Sequence, residues 1–446
     1  MLTRSRYAVV IPVSDEDYLF VNTFTGHILQ GKNHLKEILD SENPEACDAE
    51  AVKILQESGF LTTMSPREEI IHAYDCLTSF NPVQDNLFFV LILTYACNMR
   101  CDYCFESYVF EREKNWLENT MSFDHVDKAF EIMETMNPEA DTPIHLFGGE
   151  PLLYRNYDLV KYVLEKGSSQ EKSFIIVTNG LEAKRFIPLL SQHDITSVQV
   201  TLDGLPPVHD SRKKKLDGTG SFQEIVASVD ALADEKIRVY VRVVFDHSTV
   251  RDLPSFMDFA EEKGWKNSAY VSVFLTPQRH HTEGGCFNFV CNLHEEDLDF
   301  LVEEESVRDA FWVGLEPIRK KLGLGVDTWI PCTTYCRQNP SQVWLDPHGD
   351  IYMCTDTLGD REHAVGRYYP ELVLNRHYHQ WKERTIFTMN PCHSCKYAMI
   401  CGGGCAHYVY HEKGTLLRPD CTFSKQARTI YYPLLWRIME AKKVIP

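Results

Sequence analysis

No apolar run in this chain approaches the roughly 20 residues that a membrane-crossing helix needs. The opening residues, Met1 to Tyr7, lead into no signal-peptide apolar core. Both absences point to a cytoplasmic setting in which thiols stay reduced. Net positive charge is also lacking. The 45 basic residues face 64 acidic ones, a formal charge of -19. Such a chain repels phosphate backbones, which argues against a nucleic-acid-binding role. A basic cluster such as Ser211 to Lys215 reads as a solvated loop. No internal repeat or low-complexity tract is found, and glycine and proline are at ordinary levels.

Cysteine is what the chain has in excess. There are 15, an odd number whose spacing suits metal binding better than disulfides. Cys97, Cys101 and Cys104 form one group, a ligand short of a closed tetrahedral site. Cys332, Cys336, Cys354, Cys392, Cys395, Cys401, Cys405 and Cys421 crowd the last quarter, enough for two closed four-thiolate sites. The asymmetry suggests one cluster for chemistry and two for electron transfer, structure or substrate contact. Of the rest, Cys47 and Cys76 read as buried free thiols. Cys286 and Cys291 fall in a loop, Gln278 to Leu293, that could face substrate.

A length of 446 residues suggests roughly two to four domains. Residues 1–80 read as strands (Tyr7–Val13, Tyr18–Val21), a turn at Asn22–Gly26, then helices at His34–Leu39 and Ala49–Ser58, with a polar stretch at Ser65–Glu69. From Leu87 strands and helices alternate. Strands are expected at Leu87–Thr94, Pro143–Phe147, Phe174–Val177, Ser197–Leu202, Arg238–Phe245 and Ala269–Phe274. Helices are expected at Asp124–Met136, Tyr157–Glu165, Leu181–Leu190, Ser221–Ala233 and Leu253–Lys263. Six βα units fit an α/β fold, a partial parallel barrel or a doubly wound sheet. A single helical stretch, Glu295 to Leu322, would bridge to the cysteine-rich region. The expected domains are 1–80, 85–310 and 311–446.

The spacing Cys97-x3-Cys101-x2-Cys104 follows the first barrel strand, where a βα barrel presents its active face. Three thiolates from one loop hold three corners of a 4Fe–4S cluster and leave one iron open. With Tyr103 before the third cysteine and Phe105 after it, this loop resembles the radical S-adenosylmethionine (SAM) superfamily, whose fold is a partial (β/α)6 barrel. The resemblance implies that SAM chelates the open iron and is cleaved reductively to a 5′-deoxyadenosyl radical, which takes a hydrogen atom from substrate. Gly148-Gly149-Glu150-Pro151 resembles the family motif that receives the SAM amine. Thr178-Asn179-Gly180 resembles a segment lining the SAM pocket, and Thr201 suits a ribose contact. Arg212 matches an arginine that pairs with the SAM carboxylate in related maturases. His209 and Asp210 read as loop hydrogen-bonders.

The C-terminal spacing, from Cys336 through Gly349 and Cys354 to Cys392, Cys395, Cys401, Cys405 and Cys421, resembles the SPASM domain. Carried over by position, one auxiliary 4Fe–4S cluster would use Cys332, Cys336, Cys354 and Cys405. A second would use Cys392, Cys395, Cys401 and Cys421, giving three clusters in all. Gly349 reads as a hairpin turn between Val343–Leu345 and Ile351–Met353.

Two branches of this superfamily are relevant. Anaerobic sulfatase maturases make formylglycine and carry an aspartate directly after the cysteine held here by Cys354; that slot is Thr355, with Asp356 one step on. Maturases of ribosomally made peptides often carry a winged-helix-like N-terminal module that binds a leader peptide as an added strand. Residues 1–80 resemble it in size and order, notably at Phe20–Gly26 and Glu57–Leu61. Two auxiliary clusters favour a net two-electron oxidation. The expected product is therefore a crosslink, thioether first and carbon–carbon or carbon–oxygen second. Asp356 and Glu106 are candidate bases as neighbours of cluster cysteines, with Glu106, beside Cys104, expected to be solvated instead. The expected partners are a leader-bearing precursor peptide and a small reductant such as flavodoxin or ferredoxin, with neither nucleic acid nor membrane. The reading of another class is a non-catalytic iron–sulfur or peptide-binding protein, against which the intact Gly148–Pro151 and Arg212 argue.

Overall fold

The computed structural model describes residues 1–79, 87–137, 142–278, 293–326, 329–336 and 342–444. Most of the loop read between Gln278 and Leu293, including Cys286 and Cys291, lies outside them.

Six parallel strands form the frame: β1 (Phe88–Ile92), β2 (Ile144–Phe147), β3 (Phe174–Thr178), β4 (Ile195–Thr201), β5 (Val239–Phe245) and β6 (Val271–Pro277). They lie side by side in chain order, each parallel to the next, as a partial βα barrel requires. Alternation along the strands divides two environments. Leu146, Ile176, Val198, Val200, Val241, Val243 and Leu275 are fully buried in the main core with helix residues such as Val126, Val160, Ile225 and Phe256. The alternate residues, among them His145, Gln199, Thr201, Tyr240, Arg242 and Thr276, line a cavity. The inner face is mixed, because it meets a site rather than a core.

The sheet does not stop at β1. Strand β7 (Gln342–Leu345) pairs parallel to it, with Trp344 opposite Val90, and β8 (Asp350–Tyr352) returns antiparallel through the expected turn at Gly349, φ +81°. Two short strands, β9 (Gly366–Arg367) and β10 (Val373–Leu374), complete a ten-stranded sheet. This hairpin, which leads to Cys354, therefore extends the barrel wall. Beyond β6 the helix Glu305–Gly314 packs so closely that a Cβ at Gly314 would lie 1.8 Å from the Leu275 carbonyl oxygen, so glycine is required.

Three expectations need correction. Cys76, read as buried, is exposed on the helix Pro66–Ser79, and Cys47 is only partly buried. The stretch from Glu295 to Leu322 is three helices, Glu295–Glu303, Glu305–Gly314 and Glu316–Leu322, because Glu304 is extended and Pro317 starts a new turn. The polar stretch at Ser65–Glu69 opens a helix, Pro66–Ser79. Its start signal is a reciprocal box: Ser65 Oγ accepts from Glu68 N, and Glu68 accepts from Ser65 N. That helix completes an N-terminal module with a three-stranded antiparallel sheet (Ala8–Pro12, Asp17–Asn22, Ile28–Lys32) and two further helices, Asn33–Leu39 and Ala49–Glu57. The module docks on the C-terminal cysteines. Tyr7, Ala73 and Leu77 share a core with Met389, Cys392 and Met399, and Arg6 and Thr23 donate to the carbonyls of Ser394 and Lys396.

Candidate active site

The loop after β1 is held at both ends. Gly149 N donates to Thr94 O at 3.0 Å and Glu150 N to Ala96 O at 2.9 Å. A Cβ at Gly149 would sit 2.3 Å from Tyr95 O, which is why this segment needs glycine. Farther on, Met99–Cys101 pairs antiparallel with Lys213–Lys215, placing Lys213 opposite Cys101. Burial pushes the thiols of Cys97 and Cys104 up to about 12, with Glu150 and Glu106 respectively adding to the rise, and Cys101 is raised by burial too. Such thiols are poor nucleophiles. They become thiolates only beside concentrated positive charge, which an iron cluster supplies. The donor set fits a cluster with an open iron.

Around the triplet, Glu150 is almost fully buried. Its Oε1 accepts from Thr178 Oγ1 at 2.5 Å and Leu152 N at 2.8 Å, and its Oε2 from Asn179 N at 2.7 Å. Burial still pushes its carboxyl up to about 7. A carboxylate offers about four lone-pair sites, so one remains for a further donor. Asn179 Nδ2 donates to Asn98 at 2.7 Å beside Cys97. Tyr103 gives its hydroxyl to Asp203, and Phe105 packs on Phe147 at 5.9 Å.

Tyr103, Phe105, Gly148, Gly149, Glu150, Thr178, Asn179 and Thr201 line one cavity of about 700 Å3 with the three cysteines. Pro151 and Arg212 are not among the described lining residues. The Arg212 guanidinium donates to Val244 O, Thr249 Oγ1 and Gln278 Oε1 and lies 3.5 Å from Asp246, over the Tyr103 ring. His209 accepts from Asp203 N and meets Ser221 Oγ; burial, then Lys213 and Arg212, push its pKa down to about 3, so it is a neutral strut. Asp210 accepts from the N–H groups of Ser221 and Phe222.

The same cavity reaches Cys336, Cys354, Cys405 and Asp356. Burial raises the Cys354 thiol well above its usual range, with Asp356, Cys405 and Cys336 contributing. Cys332 is buried beside Tyr432; its place in this set rests on the sequence pattern. Cys392, Cys395, Cys401 and Cys421 do not line the cavity among the described residues. Burial raises Cys392, with Cys395 and Cys421 adding, and Cys401 neighbours Cys392. The chain thus gathers a second thiol group against the cavity and a third beneath the N-terminal module.

Two residues read as solvated are buried in the site. Glu106 is not solvated: it is 2% exposed, its Oε1 has no hydrogen-bond partner among the described residues, and burial pushes its carboxyl up to about 8. Lys213, read as part of a solvated basic loop, is 5% exposed and lines the cavity. Its neighbour Lys214 faces solvent, as strand alternation places it.

Residues 91–260 match the radical SAM superfamily. Together with the triplet loop and the partial barrel, the match identifies a radical SAM domain over these residues. Mycofactocin maturase MftC of Mycobacterium tuberculosis is 26% identical over 350 residues, 74% of this chain and 80% of MftC. A probable GTP 3′,8-cyclase of Methanococcus maripaludis is 27% identical over 195 residues, 43% of this chain. The chain covers about three fifths of such cyclases, 61% in that case. In three dimensions the fold is similar to anSMEcpe with bound AdoMet (TM-score 0.57, 16% identity, 80% of this chain and 100% of the other). It is also similar to Streptococcus suis SuiB bound to precursor peptide SuiA (TM-score 0.53, 13% identity, 94% and 99%).

Proposed function

We propose that this chain is a SPASM-type radical SAM maturase that oxidatively crosslinks a ribosomally made precursor peptide, thioether formation being the first choice and a carbon–carbon or carbon–oxygen bond the second. The observation that carries the reading is the shared cavity: the triplet Cys97, Cys101 and Cys104 and the group Cys336, Cys354 and Cys405 open onto one space of about 700 Å3. Similarity to MftC, called a mycofactocin maturase, and to SuiB bound to precursor peptide SuiA supports a peptide substrate.

In this reading Cys97, Cys101 and Cys104 hold a 4Fe–4S cluster. Cys332, Cys336, Cys354 and Cys405 hold a second, and Cys392, Cys395, Cys401 and Cys421 a third. SAM held at this cluster would supply the hydrogen-abstracting chemistry. The remaining work falls to the chain. Glu150, fixed by Thr178, Leu152 and Asn179, offers its spare lone pair to the SAM ammonium. Thr201 meets the ribose, and Phe105 and Phe147 wall off water. Arg212 acts through Asp246 and Tyr103 rather than by reaching SAM. Asp356, on the wall beside Cys354, receives the proton that substrate releases. The N-terminal module holds the leader, and an external flavodoxin or ferredoxin delivers electrons in the cytoplasm.

Formylglycine formation remains the second reading, favoured by the similarity to anSMEcpe. One experiment separates them. Reconstituted protein is incubated with dithionite, SAM and the short peptides encoded beside its gene. A crosslinked peptide lighter by two hydrogens supports the proposal; an aldehyde captured by a hydrazide supports formylglycine. Absence of 5′-deoxyadenosine contradicts both.

A further inference from the structure

Among the three consecutive lysines at 213–215, only the first is buried. Lys214 faces solvent and Lys215 pairs with Glu224 at 3.0 Å on the surface. Strand alternation turns Lys213 inward, opposite Cys101 in the two-stranded ladder. The ladder is braced from behind: Ser221 Oγ donates to the Lys213 carbonyl at 3.0 Å, and neutral His209 meets Ser221 Oγ at 3.0 Å. Lys213 lines one cavity with Cys97, Cys101 and Cys104, and Asp203 and Glu150 lie near it.

A buried ammonium persists only where negative charge compensates its lost hydration. Asp203 and Glu150 supply part of that charge. Both carboxylates have other donors: Asp203 accepts from Tyr103 and Val244 N, and Glu150 from its three partners. The ladder also sets Lys213 beside Cys101. A 4Fe–4S cluster on three thiolates becomes more negative by one charge on reduction. Hydrogen bonds to its sulfurs and nearby charge set its potential.

We propose that Lys213 sets the reduction potential of the cluster at Cys97, Cys101 and Cys104, stabilising its reduced state through the Cys101 sulfur. The proposal rests on the reading that this triplet holds a cluster. One electron from the external reductant enters the cluster; Lys213 neither gains nor loses a proton.

The test is an EPR-monitored redox titration of the signal that responds to added SAM, in wild-type, K213M and K213R protein with iron counted first. The expected result for K213M is full iron content and about tenfold less reduced cluster at a fixed potential, a midpoint about 59 mV more negative. K213R, which keeps the charge, recovers most of the shift. A merely structural role would change unfolding and leave the midpoint in place. An unchanged midpoint in K213M overturns the proposal. Should K213M lose the triplet's iron, K213Q is titrated instead: a negative shift supports the proposal and an unchanged midpoint overturns it. A wild-type triplet without iron overturns the functional reading itself, and is seen before any titration.

Discussion

Tyr95 donates its hydroxyl to Asp346 at 3.0 Å, across 251 residues of sequence, and both side chains are fully buried. This bond ties the loop bearing Cys97 to the turn of the β7–β8 hairpin, just before Cys354. Trp116 is sandwiched alongside, stacked on Tyr95 at 4.9 Å and on His348 at 4.4 Å. The two thiol groups that share the cavity are thereby locked to one another. Tyr95→Phe leaves Asp346 short of a donor and should cost on the order of 1–3 kcal/mol. Denaturant unfolding of reconstituted protein measures it; wild-type stability would contradict the role of the bond.

A pH effect follows at the same residue. Burial, then Asp350, pushes the Asp346 carboxyl up to about 7, so the folded chain holds a proton that the unfolded chain releases at ordinary carboxylate pH. Stability is therefore greatest below the unfolded pKa and falls as pH rises toward about 7. Asp346→Asn removes this contribution. The loss of unfolding free energy between pH 5 and 7.5 should be smaller in the variant; Glu106 and Glu150, shifted in the same direction, keep it from vanishing. An equally steep decline would contradict the assignment.

Gly149→Ala drives a methyl group to 2.3 Å from Tyr95 O and 2.5 Å from Ala96 O, both backbone atoms that cannot swing aside. The loop bearing Cys97 has to shift. We expect SAM affinity, measured by anaerobic calorimetry, to fall at least about tenfold, a cost of about 1.4 kcal/mol. Unchanged affinity would separate this glycine from the SAM site.

The N-terminal module grips the knuckle between Cys392 and Lys396 through Arg6 and Thr23. Arg6→Ala combined with Thr23→Val should loosen the third thiol group. In a chelator challenge, about four of the irons should leave several-fold faster than from wild type. Identical release would show that the module and this group are independent.

How much of this was legible in the sequence varies with the kind of signal. The six barrel strands appear where Leu87–Thr94, Pro143–Phe147 and the later runs placed them, because their outer faces pack on helices and demand apolar residues. Cysteine spacing marked the thiol groups, since local loops fix most of their distances. Tertiary placement was hidden. Nothing local distinguishes Lys213 from Lys214; pairing with Met99–Cys101 decides which one is buried. Glu106 is charged and follows a turn, yet the cavity closes over it. Arg212 carries a family signature, but Asp246, Thr249 and Gln278 come from β5 and β6 ends whose approach the sequence does not reveal. The union of β7 with β1 likewise depends on strands some 250 residues apart.

The central claim is that Cys97, Cys101 and Cys104 hold an iron cluster on which SAM is cleaved. Anaerobic iron analysis of wild-type protein beside the variant with all three changed to alanine tests it most directly, with 5′-deoxyadenosine assayed in the same samples. The account predicts about twelve irons falling to about eight, and nucleoside formation abolished. A variant that keeps its full iron complement, or still releases 5′-deoxyadenosine, would contradict it.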